Sequence, residues 1–92
     1  MTKTRKTALI TGSGRNIGQA CAFALAKEGI DIVVNGSRDT SALEETASIV
    51  RNLGVRAEVA IGDVGDEAST QKIVEKALIN FGTIDILVNN AA

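Results

Sequence analysis

The chain has 92 residues, 45% of them hydrophobic and 23% charged, with a net charge of −1 and neither His nor Pro. That composition belongs to a folded domain rather than a disordered tail, and the near-neutral balance gives no electrostatic footprint for nucleic acid. No apolar run approaches the roughly 18 residues that span a bilayer, and the basic lead-in of Lys3, Arg5 and Lys6 is followed by no secretory cleavage site, so no membrane partner is expected and the expected setting is cytoplasmic.

Residues 7–11 form a short apolar run closed by glycines and read as a buried strand, as do the β-branched residues 30–35 between Gly29 and Gly36. Residues 55–61 alternate more, while residues 84–88 are again nearly continuous apolar, the pattern of a strand covered on both faces. Helical spacing fills the intervals: Ile17, Ala20, Cys21, Ala24 and Leu25; then Leu43, Thr46, Ala47, Val50 and Leu53; then Ile73, Val74, Ala77, Leu78 and Phe81. Gly29, Gly54 and Gly82 each stand just past a helical run, where a left-handed stop costs glycine little. Ser41 with Glu44 has the spacing of a capping box for the second helix, and Asp66 is placed to cap the third. The order is βαβαβαβ without a linker, which makes an α/β layer structure with a parallel sheet and right-handed crossovers. The last strand ends at Asn89-Asn90-Ala91-Ala92 with nothing after it to cover its face or pair its edge, so further polypeptide or a bound partner segment is expected there.

Absent residue types narrow the chemistry. Without His and with Cys21 as the single cysteine, these residues cannot build a Cys/His zinc site, a Ser-His-Asp triad or a Cys-His dyad, and no internal disulfide is possible. Cys21 is expected to be a small core residue with no catalytic role.

The informative stretch is Thr11-Gly12-Ser13-Gly14-Arg15-Asn16-Ile17-Gly18, between the first strand and the first helix. Gly12 permits the tight turn, the backbone N–H groups from Ser13 to Ile17 lie at a helix N-terminus, and Gly18 allows close helix packing, which together imply an anion site. A phosphate loop of the nucleoside-triphosphatase kind would need Lys and Ser or Thr after its last glycine, but Gln19 and Ala20 follow here. A dinucleotide loop instead calls for a ribose-selecting residue about 20 positions further on. Asn35-Gly36-Ser37-Arg38-Asp39 stands in that place.

Three separated motifs carry a resemblance. The loop at 11–18, Gly62-Asp63-Val64 after the third strand and Asn89-Asn90-Ala91-Ala92 after the fourth match, in order, the TGxxxGxG, Asp-Val and Asn-Asn-Ala-Gly motifs of the short-chain dehydrogenase/reductase family. Essentially the whole chain resembles the N-terminal half of that family. The resemblance implies a Rossmann-type doubly wound parallel sheet, here its βαβαβαβ portion, with residues 1–92 as the N-terminal part of a single NAD(P)-binding domain. It also implies site roles: Ser13, Arg15 and Ile17, in the loop with Gly12, Gly14, Asn16 and Gly18, contact the ribose phosphate or pyrophosphate. Asp63 then accepts from the adenine amino group beside Val64, and Asn89, Asn90 and Ala91 line the adenosine ribose. Two positions depart from the family pattern. Asn16 replaces a glycine, which Asn can do because it tolerates left-handed geometry, and Ala92 replaces the last glycine of the fourth-strand motif.

Charge at the end of the second strand bears on cofactor choice. Asn35, Gly36 and Ser37 are neutral where an NAD site would carry an acid, and Arg38 with Arg15 can meet a 2′-phosphate, so NADP(H) is favoured over NAD(H), with Asp39 the residue able to reverse that preference. The family's proton donor is a Tyr in a Tyr-x-x-x-Lys motif, assisted by a Ser, in its C-terminal half. This sequence has no Tyr, so no catalytic residue is assigned within it. The resemblance implies the cofactor-binding portion of an NADP(H)-dependent oxidoreductase acting on a small carbonyl or alcohol. Enzymes similar to 3-oxoacyl-carrier-protein reductase are the nearest expectation, sugar or polyol dehydrogenases come next, and a homo-oligomer is implied when the protein is full length. The alternative is a truncated, non-catalytic nucleotide-binding module. An extended-type epimerase would want Gly at position 15, and a methyltransferase would want an acid in the first strand.

Overall fold

A computed structural model describes residues 5–90. The elements are β1 (Thr7–Ile10), α1 (Asn16–Lys27), β2 (Asp31–Gly36), α2 (Thr40–Asn52), β3 (Ala57–Ile61), α3 (Glu67–Phe81) and β4 (Ile86–Val88). The strands form one parallel sheet in the order β3-β2-β1-β4. β1 pairs Ala8 with Ile32 and Ile10 with Val34 on one side, and Leu9 with Leu87 on the other.

Two apolar layers follow from the alternation of side chains along each strand. Ala8, Ile10, Ile32 and Val34 point to the face covered by α1 and α2, where they meet Ala22, Ala26, Leu43, Ala47 and Val50. Leu9, Val33 and Ala60 point to the other face, against Ile73, Ala77 and Phe81 of α3. The middles of β1 and β2 are thus continuously apolar because both of their faces are covered, with polar residues only at the strand ends. Gly29, Gly54 and Gly82 all have positive φ, as their places after the helices require.

α1 turns a different face inward from the one its large residues mark. Gly18, Ala22 and Ala26 are buried. Ala20 and Ala24 are exposed, Ile17 is 70% exposed, and Cys21 is only half-buried on the flank of the core. Close approach of helix to sheet selects the smallest side chains at four-residue spacing, and that stripe lies between the positions a hydrophobicity pattern picks out. At α2, Asp39 rather than Ser41 is the cap. Its Oδ1 accepts from the Ala42 N–H at 3.0 Å and the helix begins at Thr40, so Ser41 sits exposed in the first turn. Asp66 caps α3 as expected, accepting from the Ser69 N–H at 2.9 Å. β4 is shorter than its apolar run, because Asp85 turns back to accept from the Thr7 N–H at 2.8 Å.

The two outer edges of the sheet differ. On β3, the Ala57 carbonyl accepts from Arg51 Nε at 3.2 Å and Nη2 at 2.8 Å, and the Val59 carbonyl accepts from Lys76 Nζ. Long basic side chains from α2 and α3 therefore satisfy carbonyls that an edge strand would otherwise present to another chain. Among the described residues β4 pairs only with β1, and Leu87 is 64% exposed. At the amino ends of the strands, fully buried Asp31 accepts from Arg56 through its backbone N–H at 2.9 Å, Nε at 3.1 Å and Nη2 at 2.9 Å. The Arg56 guanidinium also lies 4.8 Å from the centre of the Phe81 ring. A forked charged pair of this kind fixes the register of β2 against β3.

The chain leaves β1 for β2 and β3 on one side, then crosses through α3 to β4 on the other. Strand order reverses between β1 and β4, and in open α/β sheets the crevice at the carboxyl ends of the strands beside such a reversal is where ligands bind.

Candidate functional site

The loop between β1 and α1 sits at that crevice. Thr11 donates its N–H to the Val88 carbonyl at 3.0 Å, extending the β1–β4 seam by one residue. Gly12 has φ 61° and Asn16 φ 55°, so both left-handed positions of the turn are present and the Asn tolerates the one it occupies. A Cβ on Gly18 would lie 2.1 Å from the Gly12 carbonyl oxygen, so α1 meets the loop at a distance only glycine permits.

The amino end of α1 is left without a counter-charge of its own. Arg15 occupies the cap position with no side-chain cap bond, and no acid lies in the first turn. The leading N–H groups of a helix have no intrahelical acceptor, and together with the helix dipole they favour an anion. Uncapped amides, a glycine cradle and an arginine side chain fit a pyrophosphate.

Two adjoining clefts open beside this end. One, of about 330 Å³, is lined by Gly12, Gly14, Arg15, Arg38, Asp39 and neighbouring residues of α2. The other, of about 480 Å³, runs from Gly12 and Asn35 across Gly36 and Ser37 to the segment 62–65. Gly12, Gly36 and Ser37 line both. The shape is that of an extended ligand lying across the ends of β1, β2 and β3.

The expected site residues are not all placed alike. Gly12, Gly14, Arg15, Ser37, Arg38, Asp63 and Val64 line the clefts. Asp63 uses Oδ1 to accept from the Gly65 N–H at 2.8 Å, which shapes its own turn, while Oδ2 has no hydrogen bond among the described residues. A turn role and a ligand-accepting role are therefore compatible in one side chain. Asn89 and Asn90 join the loop through Thr11. The Thr11 hydroxyl donates toward Asn89 Oδ1 at 3.4 Å and accepts from the Asn90 N–H at 2.8 Å, and Asn90 Nδ2 donates to the Gly12 carbonyl at 3.1 Å. Ala91 lies outside the described residues.

Ser13 is placed differently from the expectation of a phosphate contact. It is fully buried, its hydroxyl donates to the Ile10 carbonyl at 2.8 Å and accepts from the Asn35 N–H at 2.9 Å, and its own N–H donates to the Asn35 carbonyl at 2.8 Å. Ser13 thus pins the loop to β2 instead of facing the cleft. Ile17 is exposed beside the loop, and Asn16 holds the left-handed backbone position before it.

Four residues outside the expected set hold the site together. Asn35 is buried, and its amide donates to the carbonyls of Ala60 at 2.9 Å and Gly62 at 3.2 Å, tying β2 to β3 at the mouth of the cleft. Thr11 joins β1 to β4. Thr46 donates to the Ala42 carbonyl at 3.0 Å and accepts from Gln19 Nε2 at 3.0 Å, locking α1 to α2 beneath the loop. A polar residue closing an apolar strand is the sequence signal that marks Asn35; for Gln19 and Thr46 only the packing reveals the pairing.

Fold and crevice together define the N-terminal portion of a Rossmann-like α/β fold. The sequence profile of the short chain dehydrogenase family matches residues 6–92, and the chain belongs to that family. It is 41% identical over 88 residues to glucose 1-dehydrogenase 2 of Bacillus subtilis (strain 168), covering 96% of this chain and 34% of that protein. Over 92 residues it is 39% identical to the short-chain dehydrogenase/reductase homolog YusS of the same organism, covering 100% of this chain and 84% of that one. Among solved structures, acetoin dehydrogenase from Enterobacter cloacae superposes with a TM-score of 0.90 at 33% identity, covering 99% of this chain and 36% of that chain. The chain thus spans about a third of the glucose dehydrogenase and most of YusS. Family membership implies a nicotinamide dinucleotide as the cofactor. Among the described residues no helix is long and apolar enough to cross a membrane.

Proposed function

We propose that these residues are the cofactor-binding portion, one part of a single domain, of an NADP(H)-dependent oxidoreductase acting on a small carbonyl or alcohol. The observation that carries this reading is the uncapped amino end of α1, cradled by Gly12 and Gly18 and opening onto clefts that span the ends of three strands. The bound dinucleotide supplies hydride chemistry at its nicotinamide. The residues here bind and orient it: the amides of Gly14 to Gly18 hold the pyrophosphate, Asp63 accepts from the adenine amino group beside Val64, and Asn89, Asn90 and Ala91 border the ribose. Arg15 and Arg38 face the 2′-phosphate. With no Tyr in the sequence, the family's proton-donating Tyr, with its Lys and Ser, is supplied from outside these residues.

For substrate, reduction of the 3-oxoacyl-carrier-protein kind is one form of this chemistry. The related glucose dehydrogenase and acetoin dehydrogenase favour small hydroxy-carbonyl and sugar substrates as the second. The full protein is proposed to act as a homo-oligomer in the cytoplasm. Fluorescence titration of the protein with NADPH and with NADH tests the cofactor reading. NADPH should bind more tightly, and Arg38→Ala should weaken NADPH much more than NADH. Equal losses, or none, would refute the assignment of Arg38.

A further inference from the structure

Arg15 already has an anion. Its Nη2 donates to Asp39 Oδ2, while Asp39 Oδ1 accepts from the Ala42 N–H at 3.0 Å and caps α2. One carboxylate therefore joins the loop before α1 to the start of α2. Both side chains line the same cleft, next to Ser37 and Arg38, and both are reached by solvent, with relative exposures of 65% and 47%. Arg38 is exposed and has no ion-pair partner among the described residues. The two arginines thus differ: one is committed to a counter-ion and the other is available. At the end of β2 Gly36 offers no side chain, and a Cβ there would come within 2.9 Å of Leu43 Cδ2, so Asp39 is the acid that lines this cleft beside the arginines.

We propose that Asp39 is a specificity-determining residue whose carboxylate serves as an internal counter-ion for Arg15 and so limits the preference for the 2′-phosphorylated dinucleotide; this rests on the NADP(H) reading above. Carboxylate and phosphate both engage a guanidinium through the same forked donors, so an incoming 2′-phosphate competes with Asp39 for Arg15. Whichever anion Arg15 keeps, the phosphate also stands beside a like charge, and like charges at close range repel. A dinucleotide with a free 2′-hydroxyl meets neither cost. Asp39 therefore acts on the ratio of the two affinities, and Arg38 carries the attraction for the phosphate.

Asn and Ser cap helices about as well as Asp, so Asp39→Asn and Asp39→Ser remove the charge while keeping the bond to Ala42. Dissociation constants for NADPH and NADH, measured by fluorescence titration on the full chain, should show NADPH tightening relative to NADH by about threefold to tenfold in both variants. The gain should shrink as salt is raised, because the groups are exposed. In an Arg15→Ala background the same change should yield a smaller gain, since the counter-ion then has nothing to hold. An unchanged NADPH-to-NADH ratio in folded D39N and D39S, or a shift toward NADH, would overturn the role of Asp39 and leave the cofactor reading standing. Failure of either dinucleotide to bind the unmodified protein would overturn both.

Discussion

Gly18→Ala adds one methyl group at the tightest point of the site. The new Cβ would lie 2.1 Å from the Gly12 carbonyl oxygen and 2.8 Å from both the Gly12 carbonyl carbon and Asn90 Nδ2. Close carbon–oxygen contacts settle at about 3.3 Å, so the carbonyl must retreat by about 1 Å. It is held where it is: Asn90 Nδ2 donates to it at 3.1 Å, and the next residue, Ser13, is anchored to β1 and β2. Overpacking against such a neighbour costs about 1–3 kcal/mol, and losing the Asn90 bond costs about 1 kcal/mol more. Ala recovers up to about 1 kcal/mol of helix propensity, leaving a net loss of about 1–3 kcal/mol. Urea unfolding followed by circular dichroism should report that loss, and NADPH should bind at least about tenfold more weakly because the loop amides have moved by a sizeable fraction of a hydrogen-bond length. Gly14→Ala is the control. Its Cβ would meet the end of the Leu43 side chain at 3.2 Å and Ala42 Cβ at an ordinary 3.5 Å, with no backbone atom in the way, so it should cost less than about 1 kcal/mol. If Gly18→Ala proved no less stable than Gly14→Ala and still bound NADPH normally, the cradle argument would be wrong.

Ser13→Ala should destabilise the fold by about 1–3 kcal/mol by leaving the Asn35 N–H without its acceptor, while folded molecules keep their NADPH affinity; lost affinity with unchanged stability would instead indicate direct contact with phosphate. Asp66 titrates below its ordinary value of 3.8 because the Ser69 backbone N–H donates to its carboxylate, with the Ser69 side chain and the charge of Lys72 adding to the effect. A folded value below the unfolded one means the cap contributes fully above the unfolded value and fades as pH falls through the folded one. Melting temperatures across the acid range should therefore fall more steeply for the unmodified chain than for Asp66→Asn, and parallel curves would remove Asp66 from the acid response.

Much of this site was legible in the linear order of residues. The strand and helix sequence, the glycine stops at Gly29, Gly54 and Gly82 and the Asp66 cap all follow from local rules, because period, capping and φ preference are set by residues within a few positions of one another, whereas the left-handed Asn16 was legible only through the family's glycine pattern. The anion loop was legible for the same reason, since a strand, a glycine turn and a helix start are neighbours in the chain. Which face of α1 is buried was a tertiary outcome: the sheet admits only Gly18, Ala22 and Ala26 at close range, and the larger apolar residues beside them are displaced outward. Partner choice was tertiary as well. Ser13 turns inward because the end of β2 offers it an acceptor and a donor 22 residues away, and Asp39 takes Arg15 as well as its cap because α2 starts beside the loop. A polar side chain carries its bonding capacity in its chemistry, but the fold decides which donor stands within reach, and at Asp39 that decision is the basis of the role proposed for it in dinucleotide preference.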